Sequence, residues 1–403
     1  MRILTFGNLF PSRANPQNGV FTELRLKALR AADTEVEARV VAPVPWFPFT
    51  HPRFGAYAVH ARVPARDVRD GVPVVYPRVP MIPKVGMTLA PHLLYRAALP
   101  AVERLRAEGF AFDLIDAYYL YPDGVAAARL ARRFGVPLVL TALGSDVNIL
   151  PTFPKPRRMI LEACATAGLV ATVSRSLRDA LVELGVPAER VAVIRNGVDL
   201  DVFRPPADRR ALRASLRLPP PGEAPVLLFV GNLVALKRCH LCIEALTRLP
   251  TARLMIAGEG PERSRLAALA ERLGVGGRVR FLGRLTQDAL TPWYGAADAL
   301  LLPSEREGLP NVVMEAMACG TPVVASHLPG TAEAVSVPAA GRLVPEPDGA
   351  ALAAAVQALL AESPPREATR AHAAGFSWEA AGQAMAAHYR RLRNVESPAP
   401  VAA

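Results

Sequence analysis

Short apolar runs alternate with segments of helical spacing along nearly the whole chain. The runs that predict strands are 2–6, 36–42, 113–117, 137–141, 169–173 and 191–194. After residue 205 the pattern restarts, with predicted strands at 226–230, 253–257, 279–282, 299–302 and 322–325. Between them lie segments of helical spacing, among them 174–184, 237–249, 261–273 and 311–319. Such alternation builds parallel sheets covered on both faces, and two runs of it predict two doubly wound α/β domains. Pro205-Pro206 and Pro219-Pro220-Pro221 flank a short basic helix and mark the expected linker at 204–222. Ligands of open α/β sheets bind beyond the carboxyl ends of the strands, so two sheets facing each other would place a site in a cleft between domains.

Composition narrows the class. The 403 residues are 51% apolar and 21% charged with mean hydropathy +0.20, which excludes a disordered chain. No run reaches the ~18 uninterrupted apolar residues of a membrane helix, and Met1 leads straight into a predicted strand, so neither a span nor a signal peptide is expected. Four cysteines are too few for a disulfide framework in a chain of this length, which favours a reducing cytoplasm. The formal net charge is +11, and residues 1–200 hold 25 Lys and Arg against 17 Asp and Glu. This asymmetry suits an anionic partner, or it follows from an Arg-, Ala- and Pro-rich composition with only four lysines.

The strongest chemical signal is Pro303-Ser304-Glu305-Arg306-Glu307-Gly308-Leu309-Pro310-Asn311-Val312-Val313-Met314-Glu315. A predicted strand ends, a loop carries Glu307, and a helix begins near Asn311 whose N–H groups and dipole suit a diphosphate. Glu315 falls about one turn into that helix, where it could accept hydrogen bonds from ribose hydroxyls. The bland alternative is an acid favoured by the helix dipole plus a buried Glu. A second cluster, Val230-Gly231-Asn232-Leu233-Val234-Ala235-Leu236-Lys237, follows the first strand of the second run. Gly231 permits a tight exit, and Lys237, opening the next helix, is a point charge for phosphate. Cys239-His240-Leu241-Cys242 has no second pair to complete a zinc site, and Asp199-Leu200-Asp201 mimics an Asp-x-Asp metal motif.

These motifs resemble the family 4 retaining glycosyltransferases of the GT-B fold, which carry two Rossmann-like domains facing across a cleft. The likeness covers nearly the whole chain and looks closest to bacterial cell-wall, teichuronic and capsular polysaccharide enzymes, in the opening loop and in Tyr121-Pro122-Asp123-Gly124. It implies that Glu307 contacts the donor sugar, Glu315 the ribose, and the backbone at Gly308, Leu309, Asn311 and Val312 the phosphates. Lys237 would hold the diphosphate. Asn232 stands where relatives commonly carry Arg, so one phosphate contact is weakened. Gly258 and Gly260 would lie at the nucleotide, and Leu282 would offer backbone to the base. On the acceptor side, Gly19 would let backbone approach the diphosphate, Arg13 could add a cation, and Asp146 would bind a hydroxyl or merely cap a loop. Relatives often carry His where Tyr118 and Leu143 stand, so no imidazole base is available there. Same-face attack, with the leaving phosphate taking the acceptor proton, needs none.

The expected domains are an acceptor-side domain at 1–204, a nucleotide-sugar domain at 205–375, a helix at 376–393 crossing back, and a disordered tail at 394–403. The implied reaction moves a sugar from a nucleotide-diphosphate sugar to a glycan or lipid-linked acceptor, with no metal or other cofactor and no nucleic-acid partner. The segment between Pro43 and Pro91 carries Trp46, Phe47, Phe49, Phe54 and Tyr57 among Arg53, Arg62, Arg66, Arg69, Arg78 and Lys84. It suits peripheral contact with an anionic membrane at the inner face, or it packs on its own domain. Rival readings are a noncatalytic nucleotide-sugar or membrane-surface binding protein and an epimerase of similar fold. A Rossmann dehydrogenase is disfavoured, because no Gly-x-Gly-x-x-Gly follows either opening strand.

Overall fold

The computed structural model describes residues 1–80 and 86–394. Lys84 and the expected tail beyond Asn394 lie outside the described residues. The chain forms two compact units, residues 1–196 with 378–403 and residues 197–377, where the sequence places the boundaries at 204/205 and 375/376.

The first unit is built on an eight-stranded sheet. Its order is Val191–Val193, Leu169–Thr172, Leu138–Ala142, Leu114–Tyr118, Arg2–Phe6, Glu37–Val41, Val72–Val75 and Arg66–Arg69. All pairings are parallel except the last, which is antiparallel. Leu114–Tyr118 and Leu138–Ala142 are buried throughout, which accounts for their uninterrupted apolar runs. The two outer strands were not anticipated: Val72–Val75 contains Pro73, which falls outside its register of Val74 and Val75 with Glu37–Val41, and the edge strand Arg66–Arg69 is polar at three of four positions.

The second unit carries a six-stranded, wholly parallel sheet in the order Val279–Gly283, Arg253–Ala257, Val226–Val230, Ala299–Leu302, Val323–Ser326 and Gly341–Val344. The expected helix at 237–249 is in fact a 3-10 turn Ala235–Lys237, a helix Cys239–Ala245 and a second turn Leu246–Arg248, so Lys237 precedes the helix rather than opening it. The basic linker helix Arg209–Ser215 packs on this unit. Arg209 and the fully buried Arg213 clamp Asp298 at 2.5 and 2.6 Å, and Asp208 caps the helix. Burial alone would raise the Asp298 pKa, but these guanidinium groups and the Val226 N–H hold it below the ordinary value. All four cysteines are buried and free. Among the described residues no helix is long and apolar enough to cross a membrane.

The last helix, Trp378–Asn394, belongs to the first unit and packs along Val20–Ala32. Its Tyr389 hydroxyl donates to Asp116 at 2.9 Å, and Tyr118 donates to the other oxygen of the same buried carboxyl. Burial raises the Asp116 pKa to about 6 against these two hydrogen bonds. Gly382 sets the closeness of the two helices, since a Cβ there would lie 2.2 Å from the Ala28 carbonyl oxygen. Glycine inside a helix costs ~1 kcal/mol against alanine by propensity alone. Gly382→Ala should nevertheless destabilise the protein, by about 1–3 kcal/mol of overpacking, in urea unfolding. A gain of stability would show that the helices separate freely.

Candidate active site

In the second unit the strand order reverses between Val226–Val230 and Ala299–Leu302. The loops leaving these two strands part there and form the crevice in which ligands of open α/β sheets bind. The loop after Val230 leads through Gly231 and Asn232 to Lys237, and the loop after Leu302 carries Ser304 to Glu307 before the helix Asn311–Ala318. The Glu305 N–H donates to the Leu236 carbonyl at 2.9 Å and ties the loops together. Lys237 Nζ donates to Glu307 Oε1 at 2.6 Å, with the side chains 24% and 10% exposed. The two groups expected to handle phosphate and sugar are thus each other's counter-ion. Partial burial makes this bond stronger than a surface ion pair.

Helix Asn311–Ala318 follows Pro310 and has no side-chain cap. Leu309 is buried, Val312 is half-buried, and the Gly308 carbonyl is approached so closely by Gly330 that a Cβ on Gly330 would lie 1.9 Å away. Glu315 is buried one turn in. Tyr294 donates to its Oε2 at 2.8 Å and Gln287 to its Oε1 at 3.2 Å. Burial raises the Glu315 pKa, while these donors favour the ionised form. Each carboxylate oxygen keeps one acceptor place, so Tyr294 and Gln287 orient the group without saturating it. Sequence reading missed both, and it gave no role to Ser304, whose buried hydroxyl has no hydrogen-bond partner among the described residues.

The glycines at this crevice also answer a packing demand. A Cβ on Gly258 would lie 1.9 Å from the Gly231 carbonyl oxygen, and one on Gly260 would lie 2.3 Å from that of Leu233. They let neighbouring strand-end turns meet backbone to backbone, beside Leu282 on the adjoining strand. Asp199 accepts from the N–H groups of Asp201 and Val202, which makes the Asp-x-Asp a turn. Among the described residues no cluster of three His, Cys, Asp or Glu could hold a metal.

In the first unit the reversal falls between Arg2–Phe6 and Leu114–Tyr118. Gly19 has φ 69°, and a Cβ there would lie 2.1 Å from the Leu9 carbonyl oxygen, so backbone packing within the loop demands glycine. Arg13 pairs with the buried Asp67 at 2.9 Å. Asp146 is not an open carboxylate. It is fully buried and accepts N–H groups from Leu120, Leu143 and Gly144 at 2.7–3.2 Å, clasping two strand-end loops. Tyr118 is likewise committed to Asp116.

Asp123 belongs to the Tyr121-Pro122-Asp123-Gly124 motif, which gave it no role of its own. It is fully buried beside the reversal, accepts the Asn8 N–H at 2.7 Å through Oδ1, and leaves Oδ2 without a partner among the described residues. Burial pushes its pKa to about 7, the Asn8 N–H opposes this, and nearby Asp146 adds to it.

Two α/β units with parallel sheets, each with a reversal crevice, and a lysine–glutamate pair before a helix N-terminus define a glycosyltransferase of the GT-B fold. Residues 27–202 match the family model for Glycosyltransferase Family 4, and residues 212–375 match that for Glycosyl transferases group 1. The chain is 37% identical over 316 residues to D-inositol 3-phosphate glycosyltransferase 2 of Catenulispora acidiphila, covering 72% of this chain and 73% of that one. It is 34% identical over 352 residues to the D-inositol 3-phosphate glycosyltransferase of Xylanimonas cellulosilytica, covering 81% and 83%. Among solved structures, sucrose-phosphate synthase from Thermosynechococcus elongatus superposes with a TM-score of 0.78 at 24% identity, over 97% of this chain and 98% of that one. Anabaena HepE in complex with UDP gives 0.73 at 23%, over 97% and 100%. The chain belongs to the group 1/family 4 glycosyltransferases.

Asp123 carries a pH signature. Its folded pKa lies above the unfolded value, so between about pH 4 and 7 the native state holds a proton that the unfolded chain has lost. Stability therefore falls as pH rises through that window. Asp123→Asn keeps an acceptor for the Asn8 N–H and removes the titration. The variant should lose less stability than wild type between pH 5 and 8 in thermal melts; parallel curves would place the Asp123 pKa outside this range.

Proposed function

We propose that this protein is a retaining, metal-independent glycosyltransferase that moves a sugar from a nucleotide-diphosphate sugar to a glycan or lipid-linked acceptor in polysaccharide biosynthesis. The carrying observation is the Lys237–Glu307 bond at the crevice of the second unit, at the foot of a helix without a side-chain cap. The donor diphosphate takes Lys237 as its cation, with N–H groups at the start of Asn311–Ala318 beside it. Lys237 thereby stabilises the charge that develops on the departing diphosphate. Glu307, released from the lysine, faces the sugar, and Glu315 accepts from the ribose while Tyr294 and Gln287 hold it. Attack comes from the face of the leaving group, and the phosphate oxygen removes the acceptor proton. UDP-glucose in the HepE complex is a precedent for the donor class. The inositol-phosphate relatives favour a second reading of the acceptor, a phosphorylated cyclitol.

The pair generates its own test. Lys237→Ala should weaken a nucleoside diphosphate roughly ten- to a hundredfold in calorimetry and leave a nucleoside unaffected. Part of that loss is repulsion from the abandoned Glu307, so Lys237→Ala/Glu307→Ala should bind diphosphate more tightly than Lys237→Ala alone. Glu307→Ala by itself should lower turnover far more than nucleotide affinity. A double variant no tighter than the single one, or a Glu307→Ala with wild-type turnover, overturns the assignment.

In this reading the enzyme works in the cytoplasm and meets an anionic membrane at its inner face. Phe47, Phe49, Phe54 and Tyr57 form one ring cluster with centroids 5.1–5.9 Å apart, and Trp46, Phe49 and Tyr57 stay 54–57% exposed. Val63, Val72, Val74 and Tyr76 of the same segment are core, so only its tip is offered to a bilayer. Aromatic rings enter the headgroup boundary, and each nearby cation contributes about 1 kcal/mol at an anionic surface. Wild type should sediment with anionic but not neutral liposomes at low salt, and Trp46→Ser/Phe49→Ser should stay in the supernatant. Wild type left in solution with both vesicle types excludes the contact.

A further inference from the structure

The outer strands of the first unit's sheet and the helix Ala90–Ala107 line a half-open cavity of about 410 Å³ that holds none of the residues of the second unit's crevice. It lies on Glu37–Val41, Val72–Val75 and Arg66–Arg69, to one side of the strand-order reversal. Four guanidinium groups line it, those of Arg13, Arg39, Arg66 and Arg104, against two carboxylates, Asp67 and Glu108.

The pairing among these groups is incomplete. Arg13 holds Asp67 at 2.9 Å, but Arg66 reaches Glu108 only at 3.8 Å, and Arg39 reaches Glu37, outside the cavity, at the same distance. Arg104 makes no ion pair among the described residues. A concave site with unbalanced positive charge concentrates anions, and guanidinium forks match the oxygens of a phosphate. The Glu108 carboxylate lines the same wall, is half exposed and is only loosely held by Arg66, so it can accept from a hydroxyl. A ligand carrying both phosphate and hydroxyl groups answers both features, and the apolar walls at Val75 and Leu105 suit a carbon ring between them. The volume accommodates a hexose phosphate with room for water.

We propose that this cavity binds a small phosphorylated polyol, at a site separate from the candidate active site. Phosphate sits against Arg39, Arg66 and Arg104, and a hydroxyl turns toward Glu108.

Calorimetric titration of the full chain at low salt, with glucose 6-phosphate, inorganic phosphate and glucose as probes, tests this. Glucose 6-phosphate should bind saturably and more tightly than phosphate, and glucose should not bind. Arg104 is exposed, so Arg104→Glu should keep the wild-type melting temperature. It should weaken glucose 6-phosphate at least about tenfold, as loss of a charged hydrogen bond does. Lys237→Ala should leave that binding unchanged. The proposal fails if no probe saturates, if Arg104→Glu binds like wild type, or if Lys237→Ala abolishes the binding.

Discussion

Where a parallel sheet reverses its strand order, the loops leaving the two central strands turn to opposite sides and no helix covers the gap between them. Everything near that gap must satisfy its backbone without the regular ladder. In the second unit the solution is backbone laid on backbone: Gly258 against Gly231, Gly260 against Leu233, Gly330 against Gly308. Each contact is closer than any Cβ permits, so the glycines are dictated by the turns themselves. The side chains left at the gap are then the ones with chemistry, Lys237, Glu307 and the hydroxyl of Ser304. The first unit meets the same constraint with carboxylates. Asp146 and Asp123 take up loop N–H groups that no strand can bond, at the cost of burying acids whose pKa values rise in consequence.

How much of this could be read in advance follows from burial. Val226–Val230, Arg253–Ala257 and Ala299–Leu302 are buried along almost their whole length, so their apolar runs stand out and their limits agree with the sequence reading. Gly341–Val344 is half-buried at three of four positions and Val72–Val75 contains a proline, so neither produces a run. The same logic applies to the site. Glu307 and Glu315 were legible because strand, loop and helix are consecutive in sequence. The donors to Glu315 were not, because Tyr294 and Gln287 come from a helix in the preceding crossover, and although Lys237 was legible, its pairing with Glu307 joins residues 70 apart. A polar residue on an amphipathic helix carries no local sign that it will meet a buried carboxylate.

Charge is where composition and structure part furthest. A net charge of +11 invites a search for an anionic partner, yet many of the arginines face inward. Arg366 donates to the carbonyls of Ala297, Gly295 and Cys319 and to the Thr321 hydroxyl. Arg370 serves Phe203, Ala318 and Leu200, and Arg278 serves Leu246, Leu249 and Ala252. Most of these carbonyls lie at helix ends or in loops, where no backbone N–H follows to bond them. A guanidinium with five donors in one plane closes several at once, which a lysine could not do. Burial lowers the Arg366 pKa to about 10, still charged at neutrality, so its cation is part of the fold rather than of the surface. Such arginines add to the formal charge without adding to the field that an approaching anion meets. Only arginines whose carboxylate partners are distant or absent can contribute to it, and four of the chain's guanidinium groups gather around one cavity on the outer strands of the first unit.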